Sequence, residues 1–132
     1  MPDCRVVKVL LAKVLLRYGE RDRTIATLEE VRSPKPEKFA SAEDEEAWYQ
    51  SCQMLGDLYL EVGRADLAAA CLNDFRQSSK SGARTWFKMG QAYEQLGDVV
   101  RAAKCYKQVT AYESNPLAPD AYDALQRLQQ QV

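Results

Sequence analysis

Residues 85–109 read TWFKMGQAYEQLGDVVRAAKCYKQV, and residues 51–75, 34 positions earlier, read SCQMLGDLYLEVGRADLAAACLNDF. Laid over one another, Gly56 falls on Gly90, Tyr59 on Tyr93, Gly63 on Gly97, Ala68 on Ala102 and Cys71 on Cys105. Self-similarity at a fixed period marks a repeat architecture, in which each unit buries its apolar face only by stacking on its neighbours. The chemistry inside each copy suits two antiparallel helices that cross closely. Small residues, Gly90 and Ala102, allow the backbones to approach, and Trp86, Tyr93 and Tyr106 fill the wedge beside the crossing. Gly97 supplies the positive φ of the turn between them, and Asp98 caps the second helix.

The period of 34 and the residues at fixed offsets, Trp86, Met89-Gly90, Tyr93, Gly97, Ala102 and Tyr106, resemble the tetratricopeptide repeat (TPR). The preceding copy keeps Leu55-Gly56, Tyr59, Gly63 and Ala68, with Cys52 and Leu72 where tryptophan and an aromatic belong. A third, degenerate copy appears when Gly19 is aligned with Gly63. It puts Leu11, Ala12, Leu15, Thr24 and Leu28 on signature positions and Lys8 on the tryptophan position. The resemblance implies an all-α TPR solenoid of about three helix-turn-helix repeats plus a C-terminal capping helix. As one domain over 1–132 it divides into a degenerate repeat (5–33), an insertion (34–47), two repeats (48–81 and 82–115) and a capping helix (117–132). Helices are expected near 5–18, 22–33, 42–62, 65–79, 83–96, 98–113 and 119–131, with no strand.

The spacing between the first two glycine turns, Gly19 and Gly63, is 44 rather than 34, so ten residues are inserted around SPKPEKFASAEDEE. Pro34 and Pro36 end one helix, and Ser41 followed by Asp44 resembles a capping box that opens the next. The acidic run Glu43–Glu46 then reads as a solvated first turn suited to the helix dipole. At the other end, Pro119 suits a first helical position. A stripe of Ala121, Tyr122, Leu125 and Leu128 faces inward, leaving Asp120, Asp123 and Arg127 to end the stack against water. The N-terminal helix reads differently. Leu11, Ala12 and Leu15 should meet its own partner helix, while Val6, Val7, Leu10 and Val14 form a second apolar stripe on the other side. That stripe is expected to be covered by further repeats, a second copy or a different protein.

Composition narrows the function. With 18 Lys+Arg against 19 Asp+Glu the chain lacks the basic footprint nucleic acid demands. It contains no histidine, which removes the commonest general base and every Ser-His or Cys-His nucleophile pair, and there is no phosphate-binding glycine motif. Catalytic residues, metal and cofactor are therefore expected to be absent. Cys4, Cys52, Cys71 and Cys105 are too scattered for a zinc motif and read as buried or half-buried thiols in a reducing compartment. Val6–Leu16 is interrupted by Lys8 and Lys13 and is too short to span a bilayer. It lacks a small-residue cleavage site, so the chain reads as cytoplasmic.

What remains is protein recognition. In TPR proteins the first helix of each repeat lines a concave groove. Carried over to the two well-matched repeats, the groove positions fall on Gln50, Gln53, Met54, Asp57 and Glu61, then Arg84, Phe87, Lys88, Gln91 and Glu94. Met54 and Phe87 offer apolar contacts, and Phe87 with Arg84 and Lys88 would anchor an apolar-acidic segment. Arg84 and Lys88 also match two positions of the carboxylate clamp of TPR co-chaperones, but Val9, Lys13 and Met54 stand where its other residues belong. The expected role is a non-catalytic module or adaptor that binds a peptide or helix of a partner protein. The alternative is a docking segment of a larger protein, either a multi-repeat scaffold or an enzyme with its catalytic part elsewhere.

Overall fold

A computed structural model describes residues 4–112 and 115–130. Among these residues there are seven helices and no strand: α1 (Cys4–Arg17), α2 (Arg21–Arg32), α3 (Ala42–Glu61), α4 (Ala65–Phe75), α5 (Ala83–Gln95), α6 (Val99–Thr110) and α7 (Ala118–Gln129). The Cys4 thiol and the expected helical positions 113 and 131 lie outside the described residues. α1 packs on α2, α3 on α4 and α5 on α6 as hairpins, and α2 on α3, α4 on α5 and α6 on α7 join the hairpins into a solenoid. No helix of the described residues is long and apolar enough to cross a membrane.

Local chemistry sets the joints. Each hairpin turns on a glycine with φ near +80°, at Gly19 (+77°), Gly63 (+82°) and Gly97 (+79°), a conformation that costs glycine nothing. Asp98 caps α6 by accepting the Arg101 N–H at 3.1 Å. α4 stops at Phe75 instead of running to 79. There Ser81 Oγ donates to the Arg76 carbonyl and Ser78 Oγ accepts the Lys80 N–H, so serine side chains take backbone groups that a helix would use. α6 ends at Thr110, and Asn115 Nδ2 closes it by donating to the carbonyls of Val109 and Tyr112, both at 2.9 Å.

Inside each hairpin a small residue receives a large one from the returning helix. A Cβ on Gly90 would stand 2.7 Å from Tyr106 Cε1, and one on Gly56 would stand 2.7 Å from Leu72 Cγ. In the first hairpin the same places hold Ala12 and Leu28, both fully buried. The close approach thus sets Gly90 directly against the Tyr106 ring. Ala102, the expected partner of Gly90, is buried nearby.

Three sequence expectations change. The first turn of α3 is only partly solvated: Ser41 Oγ accepts the Asp44 N–H at 3.0 Å, but Asp44 itself is buried. Its carboxylate accepts from Arg5 at 2.6 and 2.8 Å and from the Ala40 N–H at 2.9 Å, which ties α1 to α3. The Arg5 guanidinium holds this carboxyl below the usual carboxylate range. At the end of the insertion Trp48 is buried and its Nε1 donates to the Arg32 carbonyl at 2.8 Å. Phe39, Tyr49 and Lys35 pack against its ring.

On α7 the buried stripe is Ala121, Ala124 and Leu128, with Leu125 half-buried and Tyr122 exposed. On α1 the inward residues are Val9 and Ala12, while Leu11, expected to face α2, is exposed. The four-residue stripe expected there splits. Val6 is half-buried on the core, and Val6 and Leu10 line a shallow cleft beside Ala47 and Gln50 of α3. Val7 and Val14 lie exposed with Leu11 on the end of the stack. The reason is angular: at about 100° per residue, positions 7, 11 and 14 share a face from which 6 and 10 diverge.

Candidate functional site

The first helices of successive hairpins put their free side chains on one side of the solenoid. There α3, α5 and α7 enclose a cleft of about 830 Å³. Of the ten expected groove residues, Asp57, Glu61, Phe87, Lys88, Gln91 and Glu94 come together in this cleft. Gln50 and Gln53 lie in a neighbouring cleft with Glu46, Tyr49 and Lys80, where Lys80 pairs with Glu46. Met54 is half-buried and packs against the core of the first two hairpins.

Arg84 stands at the rim and donates to Asp57 Oδ2 at 2.9 Å. In this structure Arg84 thus forms an ion pair within the chain, with its side chain still 55% exposed. Asp57 Oδ1 is buried with no hydrogen-bond partner. Phe87 lies half-buried with its ring edge-on to Tyr106, centroids 5.6 Å apart, so its position is fixed by the floor of the hairpin.

The wall contributed by α7 is absent from the sequence reading. Asp120, Asp123, Ala124 and Arg127 line the cleft with Tyr106. These positions stand 36 residues after Arg84, Phe87, Lys88 and Gln91, so α7 repeats the groove face of α5 after a connection two residues longer. That offset was the available signal, and a search at the fixed period of 34 misses it. Arg127 fixes the wall with a two-pronged contact on Glu94, Nε to Oε2 at 3.0 Å and Nη2 to Oε1 at 2.8 Å. The Tyr106 hydroxyl donates to the same Oε1 at 2.8 Å. The Arg127 contact, followed by the Tyr106 hydroxyl bond, holds the Glu94 carboxyl below its ordinary range against the opposing effect of burial. Glu94 thus serves as an internal brace.

The cleft is lined by five carboxylates, Asp57, Glu61, Glu94, Asp120 and Asp123, and by two cations, Lys88 and Arg127, of which Arg127 is bound to Glu94. Asp57 is paired with Arg84 and Glu61 lies 3.9 Å from Arg21, so the charges beside the Phe87 ring that form no ion pair among the described residues are the carboxylates of Asp120 and Asp123 and the single cation Lys88.

Cys52, Cys71 and Cys105 are free and buried, and burial pushes their thiols up to about 12, 11 and 11. Among the described residues no three His, Cys, Asp or Glu side chains are grouped to hold a metal ion.

A sequence profile of the tetratricopeptide repeat matches residues 54–119 and, overlapping it, residues 87–128. The second match ends inside α7. A solved structure of MamA MSR-1 C2 superposes with a TM-score of 0.75 at 21% identity, over 95% of this chain and 65% of that one. At that identity the likeness is one of fold. No curated protein matches the chain.

Proposed function

The chain belongs to the tetratricopeptide-repeat family, and on that premise we propose that it is a non-catalytic module holding a basic, partly apolar segment of a partner protein in the α3–α5–α7 groove. The observation that carries this reading is the pair of unmatched carboxylates, Asp120 and Asp123, in the cleft that holds Phe87. A lysine or arginine of the segment meets Asp120 and Asp123, whose carboxylates make no ion pair among the described residues. An adjacent apolar side chain covers the Phe87 ring. The brace between Arg127 and Glu94 keeps the walls at a fixed separation, so little ordering accompanies binding.

The test is selection of a random peptide library on the immobilised chain, with counter-selection on a Phe87→Ala, Asp120→Asn, Asp123→Asn variant. The expected winners carry lysine or arginine beside a large apolar residue, bind more weakly as salt rises, and lose most affinity for the variant. Winners that are acidic, or that bind the variant equally, refute the proposal.

A further inference from the structure

Two ion pairs bridge neighbouring first helices along the groove, and they differ in build. Arg127 of α7 grips Glu94 of α5 through two nitrogens, at 3.0 and 2.8 Å, and the Tyr106 hydroxyl donates to the same carboxylate. Arg84 of α5 reaches Asp57 of α3 through one nitrogen, Nη2 to Oδ2 at 2.9 Å, and donates to no other side chain among the described residues. The Asp57 carboxylate is the fixed member of this second pair, since its Oδ1 is buried and it lines the cleft. Arg84 is the movable member, with a side chain 55% exposed at the rim. A one-pronged pair in contact with water contributes little to stability, because each partner is solvated well without the other. The first pair is built as a brace, and the second is built to exchange.

The surroundings say what exchanges with it. Arg84 stands one helical turn before Phe87 and Lys88, so the carboxylate it covers belongs to the cleft that holds the Phe87 ring. With Asp57 covered, the unpaired charges there are Asp120, Asp123 and Lys88. With Asp57 uncovered, three unpaired carboxylates stand against one cation, and the cleft holds cationic ligands more strongly.

We infer that Arg84 is the chain's own stand-in for a cation of the ligand: it occupies the Asp57 carboxylate in the free protein, and a lysine or arginine of a bound segment displaces it. This inference rests on the groove reading above and adds to it the residue that sets how strongly cationic segments are held. Arg84 lowers the affinity for every basic segment by the cost of breaking one exposed ion pair, and so restricts binding to those that also cover the Phe87 ring.

The probe is a fluorescein-labelled octapeptide of alternating lysine and leucine, titrated with the full chain at low ionic strength and read by anisotropy. Weakening of its binding by Asp120→Asn with Asp123→Asn places it in the groove. Arg84→Gln should then tighten binding about threefold or more, the order of one exposed pair that no longer has to be broken. In the Asp57→Asn background there is no carboxylate to uncover, and the same substitution should change affinity much less. Lys104→Gln removes an equal charge from the exposed face of α6 and should leave affinity unchanged, and circular dichroism should show every variant folded. An Arg84→Gln variant that binds no more tightly than wild type overturns the inference while the groove reading stands. A gain of the same size in the Asp57→Asn background, or from Lys104→Gln, overturns it too, since the effect is then one of net charge. Failure of the peptide to bind wild type and all variants overturns the groove reading and the inference together.

Discussion

Adding one methyl group at Gly90 sets two effects of opposite sign against each other. In a helix interior alanine is favoured over glycine by about 1 kcal/mol, so propensity alone makes Gly90→Ala stabilising. The new Cβ, however, would meet Tyr106 at 2.7 Å from Cε1 and 2.9 Å from both Cδ1 and Cζ, well inside van der Waals contact. The ring has little freedom to retreat: it is buried, its hydroxyl is held by Glu94 and its face meets the edge of Phe87. Overpacking of this kind costs about 1–3 kcal/mol, so the net effect should be a loss of up to about 2 kcal/mol, which lowers the melting temperature by several degrees. The decisive comparison is a double-mutant cycle followed by thermal melts in circular dichroism. With Tyr106→Ala already in place the obstacle is gone, and Gly90→Ala should become stabilising by about 1 kcal/mol. If Gly90→Ala stabilises the wild type, or if its effect is the same in both backgrounds, the hairpin crossing is not where the structure puts it.

Three further outcomes follow from the polar joints and the thiols. Asp44→Ala should cost about 2–3 kcal/mol by removing charged hydrogen bonds that link α1 to α3. Because the folded Asp44 pKa is depressed, its contribution is present above the unfolded value and disappears as pH falls through the folded one. The gap between wild type and variant in denaturant melts should therefore close in acid. Arg127→Met should cost about 0.5–1 kcal/mol at neutral pH, with the deficit again vanishing on acidification as Glu94 protonates, and hydrogen exchange in α7 should quicken. Cys52, Cys71 and Cys105 should stay unreactive toward a thiol reagent at pH 8 in the native chain and react together on unfolding. Reaction of any of them before unfolding contradicts their burial.

The parts of the fold legible in the sequence are those fixed by local geometry. The glycine turns, the Asp98 and Ser41 caps and the small-against-large pairs recur at a constant spacing, and a constant spacing is what a reader can detect. Contacts between distant side chains leave no such trace. Nothing in the run Glu43–Glu46 marks Asp44 as the residue that a guanidinium 39 positions earlier would bury. Arg84 reads as a free cation because its partner Asp57 lies in another repeat. The groove was legible where the period held and illegible in α7, where two additional connecting residues shifted Asp120, Asp123 and Arg127 out of step. On α1 the periodicity identified an excess of apolar surface, but whether Val6 or Leu11 faced outward depended on where α2 and α3 sit.

The central claim is that the groove holding Phe87, Asp120 and Asp123 is the recognition surface. Amide NMR of the chain titrated with a library-selected basic peptide measures this most directly. The account predicts that shifts concentrate on Asp57, Phe87, Lys88, Gln91 and Asp123. It also predicts that Asp120→Asn with Asp123→Asn lowers affinity about tenfold, the loss expected for desolvated charge-assisted contacts, without moving the melting temperature. Shifts concentrated instead on α1 or on the outward faces of α2, α4 and α6, with affinity untouched by the double variant, would contradict it.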